Sequence, residues 1–130
     1  MNDFVGLKIL NIYLYGSDGF EHEFIEFVHI ALEGNKGIEL HILEDTDEIE
    51  ICYCYEAKII DEKNVLLEKF DSEIKKFIGC KLLWWWEMKN NNGYLDAFQV
   101  ELIDTEKNTE LTIQFKALGS SMLLYHVSIF

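Results

Sequence analysis

Between Leu83 and Asp96 the chain runs three consecutive tryptophans, a Glu-Met-Lys step, three asparagines and a Gly-Tyr pair. No other stretch constrains the fold as much. Bulky aromatic residues favour a pleated, half-buried surface, and Asn-Gly supplies the left-handed conformations of a tight turn. One strand must enter this segment and another must leave it. A weaker copy of the plan stands at Leu10 to Phe20 and ends in Ser17-Asp18-Gly19-Phe20. The echo points to a chain assembled from two similar β units.

Taken in order, Ile9 to Tyr15 reads as a strand stopped by Gly16-Ser17-Asp18-Gly19. From about Phe24 to Glu33, Val28, Ile30 and Leu32 face one way, and His29 and Ala31 the other. Gly34-Asn35-Lys36-Gly37 is a hairpin turn signal, and Ile38, Leu40 and Ile42 alternate beyond it. Setting Leu32 opposite Ile38, Ile30 opposite Leu40 and Val28 opposite Ile42 buries all six together. An acidic turn from Glu44 to Glu50 then leads to a strand, Ile49 to Tyr55.

Val65 to Ile78 breaks the β period. Leu66, Leu67, Phe70, Ile74, Phe77 and Ile78 recur three and four residues apart, as on an amphipathic helix, and Gly79 can stop it. Strands follow at Lys81 to Met88, at Phe98 to Ile103, around Leu111, Ile113 and Phe115, and at Met122 to Phe130. Sliding the second half back by about 73 residues, a shift read from the period-two pattern, lays Gly93-Tyr94 on Gly19-Phe20 and Leu111, Ile113 and Phe115 on Ile38, Leu40 and Ile42. One such half has a single apolar face that it cannot bury alone. The expectation is a single α+β domain over residues 1–130, mostly antiparallel β. Within it, two four-stranded halves (about 7–55 and 81–130) are related by a pseudo-two-fold repeat, as a sandwich or open barrel. A helix over about 65–78 joins them.

At 130 residues the chain can bury a single core. No apolar run approaches the roughly 20 residues of a membrane span, and Met1-Asn2-Asp3 lacks the start of a signal peptide. The setting is therefore read as cytoplasmic, where Cys52, Cys54 and Cys80 stay reduced. The net charge of −13 argues against nucleic acid, whose binding needs clustered Lys and Arg. It favours a basic protein partner instead.

Several clusters are candidates for chemistry. Glu44, Asp45, Asp47, Glu48 and Glu50 place five carboxylates in seven residues. They are a candidate patch for a basic partner or else a solvated turn whose charges discourage edge-to-edge strand pairing, and they lack the spacing of a calcium loop. His29 and His41 fall across the hairpin from one another in the register above. They could hold zinc if Cys52 or Cys54 were brought beside that face as a third ligand. His22 and His126 have no evident companion. Of the three tryptophans, Trp84 and Trp86 share a face and Trp85 takes the other; such rings ordinarily pack in a core, and Trp85 is also a candidate contact residue. There is no nucleophile, phosphate or metalloprotease motif, so no catalytic residue and no cofactor is assigned.

Four segments carry a resemblance: Asp45-Thr46-Asp47-Glu48-Ile49, Trp84-Xaa-Trp86-Glu87-Met88, Asn91 to Asp96, and Ala117 to Ser121. From about Leu7 to Val127 the chain resembles a family of small bacterial proteins known only as a domain of unknown function. The resemblance implies a bacterial cytoplasmic setting and brings no activity with it.

The sequence thus reads as a non-enzymatic, acidic protein-binding module, such as an immunity-type antitoxin that blocks a basic toxin. The alternative is a small-ligand or metal-binding β domain. A homodimer through an exposed edge strand at Met122 to Phe130 is a third reading.

Overall fold

In the computed structural model, which describes residues 2–18, 23–43, 46–55, 65–66, 70–118 and 121–129, the period-two stretches become nine strands of one antiparallel sheet. They are β1 (Ile9–Asp18), β2 (Glu23–Leu32), β3 (Lys36–Leu43), β4 (Glu48–Cys54), β5 (Val65–Leu66), β6 (Lys81–Lys89), β7 (Leu95–Asp104), β8 (Thr109–Leu118) and β9 (Ser121–Ile129). The path runs β4-β3-β2-β9-β8-β7-β6, and β1 pairs off it with β2 and β5. Consecutive strands pair within β1–β4 and within β6–β9, and Ile25 opposite Met122 joins the two runs.

The sheet curls until its far end returns to β1. Gly6 N donates to Leu82 O at 2.7 Å, Leu82 N to Leu7 O at 2.9 Å and Gly79 N to Ile9 O at 2.8 Å. The result is a curled half-barrel rather than a flat sandwich. Its concave side holds Ile12, Leu14, Val28, Ile30, Ile38 and Leu40 from the first run against Leu82, Trp85, Phe98, Val100, Ile113 and Phe115 from the second. Each side chain fully removed from water contributes about 1.5–3 kcal/mol, so this seam is what ties the runs together.

The two runs are used differently. β4 ends the path, whereas its counterpart β9 lies inside it between β2 and β8. Ile38 and Leu40 are fully buried and Ile42 only partly, while Leu111 is partly buried and Ile113 and Phe115 fully. The buried positions are thus offset by one step from the expected equivalence. β9 is also not the free edge proposed for a homodimer; the edges of the path are β4 and β6.

Turn chemistry accounts for two local features. Asn90 Oδ1 accepts from Asn92 N at 2.9 Å and Tyr94 N at 3.1 Å, and Gly93 takes φ 84°, so one asparagine of the run organises the β6–β7 turn. In the first hairpin the left-handed pair is Gly34 and Asn35, at φ 76° and 64°. Lys36 and Gly37 therefore enter β3, and Ile30 pairs with Ile38 and Val28 with Leu40. The expected register is displaced by two residues. That displacement preserves which side chains face the core, as a one-residue slip would not.

Residues 67–69 of the expected helix lie outside the described residues; among those described, the helix is shorter than its apolar spacing predicts. Val65 and Leu66 pair with Gly16 and Tyr15, taking the open side of β1, and α1 spans Asp71–Ile74 before a 3-10 turn at Lys75–Phe77. Phe70, Ile74 and Phe77 do pack on the core. Ile78 is exposed because the chain leaves the helix at Gly79, φ 88°. Among the described residues, no helix is long and apolar enough to cross a membrane.

Candidate functional site

Strand β3 buries four successive residues, Gly37 to Leu40, where an alternating strand would bury every second one. Ile38 and Leu40 face the core. Gly37 and Glu39 face the other way, and Glu39 is nevertheless only 5% exposed. The convex side of this sheet thus has a closed centre.

The register assembles that centre. Glu39 lies between His29 of β2 and Cys52 of β4, and Gly37 lies between Ala31 and Cys54. Nδ1 of His29 is 3.4 Å from Oε2 of Glu39, and Nε2 of His41 is 3.9 Å from Oε1. Although close, His29 Nδ1 is buried outside hydrogen-bond geometry. Burial holds the His29 imidazole below its ordinary pKa, against the raising influence of the Glu39 charge. The Cys54 thiol donates weakly to the Cys52 carbonyl at 3.8 Å. His41 stands aside, opposite Phe27, with its ring edge-on to the phenyl at 4.4 Å. His29 and His41 therefore do not face one another as the sequence register had it. β4 nonetheless lies beside β3, the condition for Cys52 and Cys54 to join the histidines. Beside His29 and Gly37 an open hollow of about 160 Å³ reaches to Leu10 and Lys36.

The convex side of the second run is different. A bulge at Leu83, between the pairs Leu82–Leu102 and Trp84–Glu101, turns both Leu82 and Trp85 to the core. Trp85 is 6% exposed and packs against Phe4 and Tyr53, with ring centroids at 6.2 and 6.0 Å. As a contact residue it is thus corrected: it is part of the core. The indoles that reach solvent are Trp84 and Trp86, each close to half exposed. Beside them Gln114 Nε2 donates to Gln99 Oε1 at 3.0 Å, and Gln99 Nε2 donates to Glu101 Oε1 at 3.4 Å. Tyr125 and Leu123 of β9 continue the surface, across β8 from this amide ladder.

The acidic turn is described only in part, since Glu44 and Asp45 lie outside the described residues, as does His22. Asp47 takes φ 54° and its N–H donates to Leu43 O at 3.0 Å, closing the turn between β3 and β4. Asp47 and Glu50 are exposed and Glu48 is half-buried. Glu50 pairs with His41, on the same convex side as Glu39.

A family model describing a "Family of unknown function (DUF6334)" matches residues 2–129. The chain belongs to that family. No curated protein and no solved structure matches it.

Within this DUF6334 chain, two arrangements can do chemistry. The convex side of β2–β4 gathers imidazole, carboxylate and thiols, donors that suit a metal of intermediate softness. The convex side of β6–β9 presents indoles, amides and a phenol, groups that suit contact with another protein. Sequence reasoning passed over Glu39, which looks like an ordinary solvent-facing position between Ile38 and Leu40. The available signal was Gly37: a glycine inside a strand marks a close approach by something else.

Proposed function

We propose that this chain is a non-enzymatic, acidic protein-binding module whose contact face is the convex side of β6–β9. The observation that carries this reading is the pair of solvent-reaching indoles, Trp84 and Trp86, on the edge strand β6. Large aromatic anchors of this kind dominate the energetics of protein interfaces. Next to them the Gln99–Gln114 ladder offers amide donors and acceptors, and Glu101 adds a carboxylate. The net charge of −13 makes a basic partner the natural complement and speeds its approach at low salt.

The sharpest form of the proposal is an immunity-type protein that covers the basic surface of a toxin in a reducing cytoplasm. The acidic turn at Asp47, Glu48 and Glu50 steers the partner, and the indoles anchor it. The same reading treats β1–β4 and β6–β9 as two descendants of one unit, of which the second took on the contact face.

Binding is tested by titrating the protein against basic nuclease-type toxin domains at low and high salt. The expected result is association that weakens as salt rises, and that a Trp84→Ala/Trp86→Ala double variant weakens by at least about 10-fold. No association at any salt, or equal binding by the double variant, would refute the proposal.

A further inference from the structure

On the convex side of β2–β4, side chains from three strands converge over a position that has none. Cross-strand pairing sets His29, Glu39 and Cys52 in one row and Ala31, Gly37 and Cys54 in the next. A Cβ on Gly37 would stand 2.9 Å from Cε1 of His29 and 3.5 Å from its Nε2. The imidazole therefore leans over the glycine, into the second row. The carboxylate of Glu39 and the thiols of Cys52 and Cys54 have their donor atoms within 4.8 Å of one another. His29 Nδ1 is already 3.4 Å from Glu39 Oε2. Four-coordinate zinc, with bonds of about 2.0–2.3 Å, places its donors about 3.3–3.8 Å apart. Glu39, Cys52 and Cys54 are thus the donors already drawn together, and His29, next to Glu39, joins them by a change of side-chain rotamer.

We propose that His29, Glu39, Cys52 and Cys54 form a binding site for a divalent ion of the zinc class. Each donor argues for that class over others. Two thiols disfavour calcium and magnesium, which take oxygen ligands. Imidazole and carboxylate beside two thiols make the mixed nitrogen, oxygen and sulfur set of a borderline ion. None of the three cysteines is in a disulfide. Glu39 and Cys54 are 5% and 4% exposed, while His29 and Cys52 are half-buried, so the site is shielded from water on one side only. His41 Nε2, 3.9 Å from the second oxygen of Glu39, is placed to orient the carboxylate from outside. The site stands on the opposite run from the indole face and is independent of the contact proposed there.

Cobalt(II) is the probe, because its thiolate complexes absorb. Reduced, chelator-treated and desalted full-length protein is titrated first with cobalt and then with zinc. One equivalent of cobalt is expected to give a thiolate-to-metal charge-transfer band and the visible absorption of a tetrahedral ion, and one equivalent of zinc to bleach both. Both thiols lose their protons to solvent on binding, so an unbuffered sample acidifies. Cys52→Ser and Cys54→Ser are expected to abolish the band, and Glu39→Gln, which keeps the side chain's shape, to weaken zinc by at least about 10- to 100-fold. Cys80→Ser keeps the band. Absence of the band from the wild-type chain would overturn the proposal, whatever the folding of the variants. So would a band that survives both serine variants or disappears in Cys80→Ser.

Discussion

The Cε1 of His29 lies 2.9 Å from the point where a Cβ on Gly37 would stand, and the carbonyl oxygen of Ile30 lies 3.1 Å from it. The ring can swing away, but the backbone oxygen cannot. Gly37→Ala therefore has to push β2 from β3 as well as displace the imidazole. A loss of about 1–3 kcal/mol is expected, typical of an atom forced into a filled space. Urea unfolding of metal-free protein measures it. The same variant is expected to weaken cobalt binding through His29. An unchanged unfolding midpoint would show that ring and glycine are not in contact.

The three tryptophans differ in what they support. Trp85 packs on Phe4 and Tyr53 inside the half-barrel, so Trp85→Ala is expected to cost about 3–5 kcal/mol. Trp84→Ala and Trp86→Ala remove rings that already meet solvent and are expected to change stability by about 0.5–1 kcal/mol. Chemical unfolding of the three single variants checks the order. Equal losses at all three positions would mean that the indoles share one environment.

Much of the β architecture can be read from periodicity, because alternation reports which side of a strand meets the core. Ile38 and Leu40 are buried together in this way, as are Ile113 and Phe115. Register is less accessible, since a shift of two residues keeps every side chain on its face. The choice fell to Gly34 and Asn35, which took the left-handed positions and left Gly37 in the strand. Periodicity also cannot reveal a side chain buried on the far face. Glu39 shows this: its surroundings come from His29 and Cys52 on neighbouring strands, which only the pairing brings together. The apolar spacing after Val65 suits a helix, but the open side of β1 draws Val65 and Leu66 into a strand instead. Trp85, a contact candidate by sequence, turns to the core because of the bulge at Leu83, which leaves no mark in the residue pattern.

The first hairpin offers a direct check on its turn. Asn35 holds φ 64°, a left-handed conformation that asparagine tolerates and alanine resists. Asn35→Ala is expected to destabilise the chain by about 1–2 kcal/mol, and Asn35→Gly to leave stability nearly unchanged or raise it. Thermal melts of both variants decide. Should alanine and glycine behave alike, the turn must be made elsewhere, and the pairing of Ile30 with Ile38 would fall with it.

Cys80 gives the fold a pH dependence at its alkaline end. Its thiol is buried at the junction where Ile9 N donates to Cys80 O at 2.9 Å, and its Sγ donates to Lys76 O at 3.5 Å. Burial pushes the thiol above its ordinary pKa near 9, the Asp104 charge adds to the rise, and Lys107 offsets part of it. The folded chain therefore holds this proton more tightly than the unfolded chain does. Its contribution to stability is complete below about pH 9. It is lost as the pH climbs through the raised folded value, because the unfolded thiol ionises first. Cys80→Ser keeps a donor towards Lys76 O and removes the titrating group. Urea midpoints from pH 7 to pH 10.5 are expected to run parallel for wild type and variant up to about pH 9. Above that, the wild type should fall more steeply, by at most one proton's worth of slope. Parallel curves over the whole range would place the thiol in contact with solvent and contradict its burial beneath β1.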